Sequence, residues 1–349
     1  MTLLSVEDLH SYNRSSVNLS LVTEQHFCSN HTCDIFEVTP VDILTYVCKL
    51  AVIIMAVCGN LLVIISICHF KQLHTPTNYI ILSLAVVDML VGITVLPGQL
   101  ILLNSCLKTG MIFCYFTLIC TYCLSFLSIY NVSLISLDRL YALWKPLLYA
   151  SRVSVKVMSK VIFVTWIISL VYNLGLVYLV TTGRDDVLCI GDCSVALNEI
   201  WSTVDIFIVF VLPCSIIIVS YLKIFTIARK HARSISVSKK QTIPRIRSKG
   251  ITLKASERKA AFTLGKLVLV FVLCLLPPFL TLVFSDSIPD ALLQEVMEGA
   301  MLVHYLHSAI NPLVYAFFYP WFRKCAKLIL MLKTLNPDTA LLVVLSNNG

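Results

Sequence analysis

Long apolar runs alternate with short polar ones from about residue 42 to residue 318. Seven such runs cover 42–68, 78–103, 111–142, 156–180, 200–226, 260–284 and 292–318. Each holds the roughly 20 mostly apolar residues that a helix needs to cross a bilayer. Backbone amides left unpaired in lipid are too costly, so the chain must cross as helix and turn outside. The pattern predicts an all-α membrane protein, a seven-transmembrane helix bundle with short loops. A polar tail over 1–41 precedes the bundle of 42–318, and a segment over 319–349 follows it. In that last segment Tyr319, Trp321, Phe322, Leu328 and Ile329 alternate with Arg323, Lys324 and Lys327 at helical spacing. This predicts a short amphipathic eighth helix on the inner membrane face, in contact with membrane lipid. For Cys325 two readings stand, a palmitoylated anchor or a free thiol.

Composition agrees. Of the 349 residues 58% are hydrophobic and 13% charged, against about 25% charged in soluble domains. The charge is also sorted. Thirteen Lys and Arg lie between Lys223 and Lys266, while the outer side holds only Arg14, Lys49, Lys108 and Arg184. Asp185, Asp186, Asp192, Glu199, Asp286, Asp290, Glu295 and Glu298 fall on outer loops and helix mouths. That is the positive-inside pattern with the N-terminus outside the cell. The net charge of +8 is therefore a topology signal, and nucleic acid is excluded as a partner. The tail lacks a cleavable signal sequence, so the first span is expected to act as the anchor. Sequons at Asn13, Asn18 and Asn30 predict glycosylation on the outside. Six cysteines, Cys28, Cys33, Cys106, Cys114, Cys189 and Cys193, share the oxidising outer side, enough for three disulfides. Their connectivity is open at this point.

Ionisable residues inside spans are expensive and mark function. Four stand out: Asp88 in the second span, Asp138 and Arg139 closing the third, and Asp205 near the outer end of the fifth. An enzyme is excluded by the lack of HExxH, GxSxG, Ser-Lys or paired-carboxylate motifs. A transporter or channel would line a path with polar residues, and only isolated ones occur.

The motifs, taken in order, are Gly59-Asn60, Leu84-Ala85-Val86-Val87-Asp88, Asp138-Arg139, Trp166, Pro213 and Tyr221, Pro277, and Asn311-Pro312-Leu313-Val314-Tyr315. The set resembles rhodopsin-like G-protein-coupled receptors over all seven spans. The stretches Phe70-Lys71-Gln72-Leu73-His74-Thr75-Pro76-Thr77-Asn78 and Phe317-Phe318-Tyr319-Pro320-Trp321-Phe322-Arg323 look like the trace amine-associated receptors. That resemblance implies a plasma-membrane receptor for a small amine, of olfactory type, coupled to a heterotrimeric G protein of the stimulatory kind, with no obligate cofactor. It also implies the disulfides Cys114–Cys193, Cys28–Cys189 and Cys33–Cys106. A light receptor is excluded, since the seventh span has no lysine and carries His304 and Tyr305 instead.

The departures from the pattern are informative. Thr121 stands where amine receptors place an aspartate, Leu275 replaces the usual tryptophan, Leu140 an aromatic, and Leu107 a tryptophan. Asp205 lies eight residues before Pro213, about 12 Å nearer the outside. A fish-expanded branch of these receptors carries its aspartate at this position. A carboxylate there would bond an ammonium ion, with Thr121 beside it and Tyr122, Phe279 and Tyr305 as aromatic partners. The alternatives are an Asp205 that pairs with a neighbour or sits at the interface, and a receptor for a non-amine small ligand. By the same resemblance, Asp88, Ser128 and Asn311 would hold a sodium ion, the alternative being a hydrated network; His307 stands where a small polar residue is usual. Arg139 and Glu257 would form a cytoplasmic latch, with Asp138, Tyr221, Asn311 and Tyr315 in the activation switch. Pro213, Pro277 and Pro312 would act as hinges or static kinks.

Overall fold

A computed structural model describes residues 40–103, 111–182, 199–238, 248–284 and 287–331 of the chain. These form helices throughout: α1 (Pro40–His69), α2 (Pro76–Leu90), α3 (Leu96–Leu103), α4 (Met111–Trp144), α5 (Pro146–Arg152), α6 (Val155–Thr182), α7 (Glu199–Ile206), α8 (Leu212–Ser238), α9 (Ser248–Val283), α10 (Asp290–Phe318) and α11 (Pro320–Leu330). A π-helical turn over Val91–Val95 joins α2 to α3, and another over Phe207–Val211 joins α7 to α8. Each joined pair is one span, so α1, α2–α3, α4, α6, α7–α8, α9 and α10 are the seven rods that the apolar runs predict. α5 is a short helix between the third and fourth spans.

Six of the rods are long and apolar enough to cross a membrane. The seventh, α10, has the length but breaks its apolar run with Glu295, Glu298, His304, His307 and Asn311. Its buried residues His304, His307, Ser308, Asn311 and Tyr315 recur at three- and four-residue spacing, which places them on one face. The polar face of α10 thus looks into the bundle. α6 is the reverse: Phe163, Val164, Val171 and Tyr178 are exposed on its outer side. In water such a surface would drive association; in a bilayer it is the solvent-facing side.

Close approach decides how the rods meet. A Cβ on Gly59 would lie 2.8 Å from the Cβ and Cγ of Pro312, so α1 and α10 touch backbone to ring only because residue 59 is glycine. A Cβ on Gly98 would meet Thr117 Cγ2 at 2.8 Å, the same device between α3 and α4. At the inner end, Trp321, Phe322 and Cys325 of α11 are buried while Arg323 and Lys324 are exposed, an amphipathic helix as the residue pattern predicts. Arg323 Nη1 donates to the carbonyls of Ala316 and Phe317, both at 3.0 Å, and so caps the C-terminus of α10. Cys325 is fully buried and its thiol is pushed up to about 12 by burial. Acylation needs an accessible, ionisable sulfur, so a palmitoylated Cys325 would have to leave this packing.

Candidate functional site

Asp205 stands near the C-terminal end of α7, directly before the π turn. An ideal helix advances about 100° per residue, so eight steps would set Asp205 about 80° around from Pro213. The π turn inserts one extra residue and cuts the offset to about 20°. Asp205 therefore shares the inward face with Pro213 and is 4% exposed. There the carboxylate lies among the side chains of neighbouring spans. The π turn is braced by Tyr130, whose hydroxyl donates to the Ile208 carbonyl at 3.0 Å, five residues ahead of the proline that lacks an N–H.

Asp205 Oδ1 accepts a hydrogen bond from the Tyr172 hydroxyl of α6 at 3.0 Å. Tyr172 in turn packs against Phe126 at 5.7 Å, and Phe126 stacks on Tyr130 at 4.2 Å with planes 8° apart. Tyr122 and Tyr172 both lie within electrostatic reach of Asp205. Among the described residues no cationic side chain pairs with this carboxylate. A buried carboxylate met by a neutral phenol alone is electrostatically incomplete.

The other ligand contacts expected from the sequence are placed as follows. Thr121 Oγ1 donates to the Thr117 carbonyl one turn back at 2.8 Å, so it adds no charge. Phe279 of α9 stacks on Phe210 of the π turn at 3.6 Å. Tyr305 is 1% exposed, and its hydroxyl accepts from Gln99 Nε2 at 2.9 Å. Tyr122 lies within electrostatic reach of both Asp205 and Tyr305. Tyr172 is not legible in the residue order: nothing in the pattern of the fourth span separates a tyrosine aimed at the fifth span from one aimed at lipid.

Below this lies a second polar layer. Asp88 is fully buried; Oδ1 accepts from Ser308 Oγ at 2.9 Å and Oδ2 from Asn311 Nδ2 at 2.6 Å. Ser128 Oγ is hydrogen-bonded to His307 Nε2 at 3.1 Å. Asp88, Ser128 and Asn311 do come together, with the His307 imidazole among them. Among the described residues no cluster of three or more His, Cys, Asp or Glu could hold a metal ion. Asn60 Nδ2 donates to the Ser308 carbonyl at 2.8 Å, tying α1 to α10.

At the inner end Arg139 and Asp138 are buried and paired, with Nε at 3.0 Å and Nη2 at 2.5 Å from Oδ2. Thr77 Oγ1 donates to Asp138 Oδ2 at 2.7 Å and is also hydrogen-bonded by Arg139. Tyr149 of α5 donates to Asp138 Oδ1 at 2.7 Å. Burial, reinforced by the Asp138 charge, pushes the Tyr149 phenol up to about 12, so it acts as a donor at physiological pH. Residue pattern alone does not single out Thr77 or Tyr149. The side chain of Glu257 lies outside the described residues, and with it the expected Arg139–Glu257 latch. Tyr221 packs its ring against Gly265, where a Cβ would lie 2.9 Å from Cε1. Among the described residues the Tyr315 hydroxyl is buried with no hydrogen-bond partner, and the Tyr221 hydroxyl lies near Ser136. Pro277 sits inside α9 and Pro312 inside α10.

Cys114 is buried at the outer end of α4 and disulfide-bonded, with its partner outside the described residues. Cys28, Cys33, Cys106, Cys189, Cys193 and the sequons at Asn13, Asn18 and Asn30 also lie outside them.

Comparison with known proteins matches residues 59–315 to the 7 transmembrane receptor (rhodopsin family). Among curated relatives, trace amine-associated receptor 7b of Rattus norvegicus is 40% identical over 301 residues. Receptor 7c of the same organism is 38% identical over 299 residues, and receptor 7a of Mus musculus 39% over 298. In each case 82% of either chain is covered.

Proposed function

The chain belongs to the rhodopsin family of seven-transmembrane receptors and, within it, to the trace amine-associated receptors, so it is a multi-pass membrane receptor and not an enzyme; from that premise we propose that it binds a small extracellular amine at Asp205 and activates a stimulatory heterotrimeric G protein. Its N-terminus faces outward at the plasma membrane, a reading the sorted charge supports. The observation that carries the amine reading is the buried Asp205 carboxylate, bonded to Tyr172 and unpaired with any cation among the described residues. Its place on the fifth span compensates for Thr121 on the third.

An ammonium ligand supplies the missing charge. In a site shielded from water its N–H groups donate to Asp205, and each charge-assisted bond is about twice as strong as a neutral one. Tyr122, Phe279 and Tyr305 offer aromatic faces to its cationic or apolar end. The amine favours the receptor shape in which these groups close on it, and that population shift opens the inner face to the G protein.

The test records cyclic AMP in cells expressing the receptor against a panel of mono- and diamines, on wild type and Asp205→Asn at matched surface expression. A loss of potency of about ten-fold or more places at least ~1.4 kcal/mol on that charge. Equal potency on both removes Asp205 as the anchor. A receptor that reaches the surface and answers no amine is a receptor for a non-amine ligand.

A further inference from the structure

We infer that the polar layer beneath the ligand site excludes sodium, because His307 occupies the place the ion would take. The residues that would coordinate it are Asp88, Ser128 and Asn311. In this chain each of the three is already turned toward another side chain. Asp88 receives Ser308 on Oδ1 and Asn311 on Oδ2. Asn311 thus turns its NH2 group, a donor, toward the carboxylate and its oxygen away. Ser128 Oγ is engaged by His307 Nε2 at 3.1 Å, and the same nitrogen lies 3.8 Å from Asp88 Oδ1. The imidazole edge therefore fills the gap between the carboxylate and the serine hydroxyl. A hard cation of this size wants several oxygens at about 2.3–2.6 Å, and here a ring nitrogen stands where those oxygens would converge.

The ring cannot swing aside cheaply. His307 Nδ1 is hydrogen-bonded to the His304 carbonyl, which can only accept, so Nδ1 carries a proton. In the neutral ring Nε2 is then the acceptor, and the Ser128 hydroxyl donates to it. Phe271 packs edge-on against the ring at 4.8 Å and His304 at 5.1 Å. His307 itself is 2% exposed. Rotation would break two hydrogen bonds in a dry site and press the ring into its aromatic walls.

The inference has two parts: the wild-type receptor does not respond to sodium, and His307 is the cause. The experiment is thermal unfolding of the purified full-length receptor in sodium chloride against choline chloride at equal ionic strength, up to about 150 mM. Wild type is expected to unfold at the same temperature in both salts. His307→Asn leaves a small polar group and opens the cage. It is expected to gain a saturable, sodium-specific rise of a few degrees, as for any ligand that binds only the folded state. Adding Asp88→Asn should remove that rise. His307→Ala serves as a second variant should His307→Asn fail to fold. A sodium-specific rise in wild type that Asp88→Asn abolishes overturns the exclusion, and the wild-type arm decides this by itself. Folded His307 variants that stay blind to sodium overturn His307 as its cause.

Discussion

Asn60 and Ser308 are joined by a hydrogen bond of 2.8 Å from the asparagine Nδ2 to the serine carbonyl. That carbonyl is the one Pro312 leaves without a helical partner, since proline four residues on has no N–H to offer. The same Asn60 nitrogen also donates to Ala56 at 2.8 Å, which fixes its rotamer. One side chain on α1 thus completes the backbone of α10 at its kink. The Ser308 hydroxyl bonds Asp88, so three spans meet at this residue.

Asn60→Ala should therefore strand the Ser308 carbonyl in a dry environment. A buried unsatisfied acceptor costs about 1–3 kcal/mol. The expected outcome is a lowered unfolding temperature of the purified receptor. An unchanged temperature would mean that water completes the kink equally well.

Gly59→Val tests the approach that makes this bond possible. With Pro312 atoms 2.8 Å from where a Cβ on residue 59 would lie, α1 must move outward from α10. Overpacking of this sort costs about 1–3 kcal/mol. Reduced surface expression is expected, and Gly59→Val combined with Pro312→Ala should lose less than the sum of the two single changes.

Tyr172→Phe removes the hydroxyl that orients Asp205 while leaving the charge in place. Amine potency should fall by a smaller factor than in Asp205→Asn, on the order of three- to ten-fold, because the phenol orients the carboxylate without carrying its charge. A loss as large as that of Asp205→Asn would show that the phenol itself contacts the ligand.

Tyr149→Phe loosens the inner lock. Tyr149 and Thr77 hold Asp138, and Asp138 holds Arg139. Without the phenol the resting arrangement loses a charge-assisted bond, and the equilibrium shifts toward the active shape. Basal cyclic AMP should rise at equal surface expression, and agonist potency should rise with it. Basal signalling equal to wild type would show that Thr77 suffices.

Cys325 should resist thiol reagents in the folded receptor. With its thiol pushed up to about 12 and its sulfur shielded, it forms little of the reactive thiolate at neutral pH. Maleimide should label it only after denaturation. Labelling of the native protein at the rate of an exposed cysteine would show that α11 detaches from α1.

Seven rods and the family are legible in the residue order alone. Apolar runs of bilayer length, the sorting of Lys and Arg, and motifs such as Asn60, Asp88, Asp138-Arg139 and Asn311-Pro312 are local properties, and lipid enforces them residue by residue. Asp205 is marked in the same way, because an ionised group in an apolar run is conspicuous wherever it points. Direction is what the residue order leaves open. Whether Asp205 faces its neighbours or the interface depends on one extra residue in the π turn over Phe207–Val211, and helical periodicity taken from a sequence assumes a regular helix. The partners Tyr172, Thr77 and Tyr149 lie on other helices, 33, 61 and 11 residues from the carboxylates they serve. His307 is visible as an unusual residue, but only the packing of α10 against α2 and α4 places its ring between Asp88 and Ser128. Spacing along a chain fixes which face a residue shares with its own helix; which face meets which is decided when the helices pack.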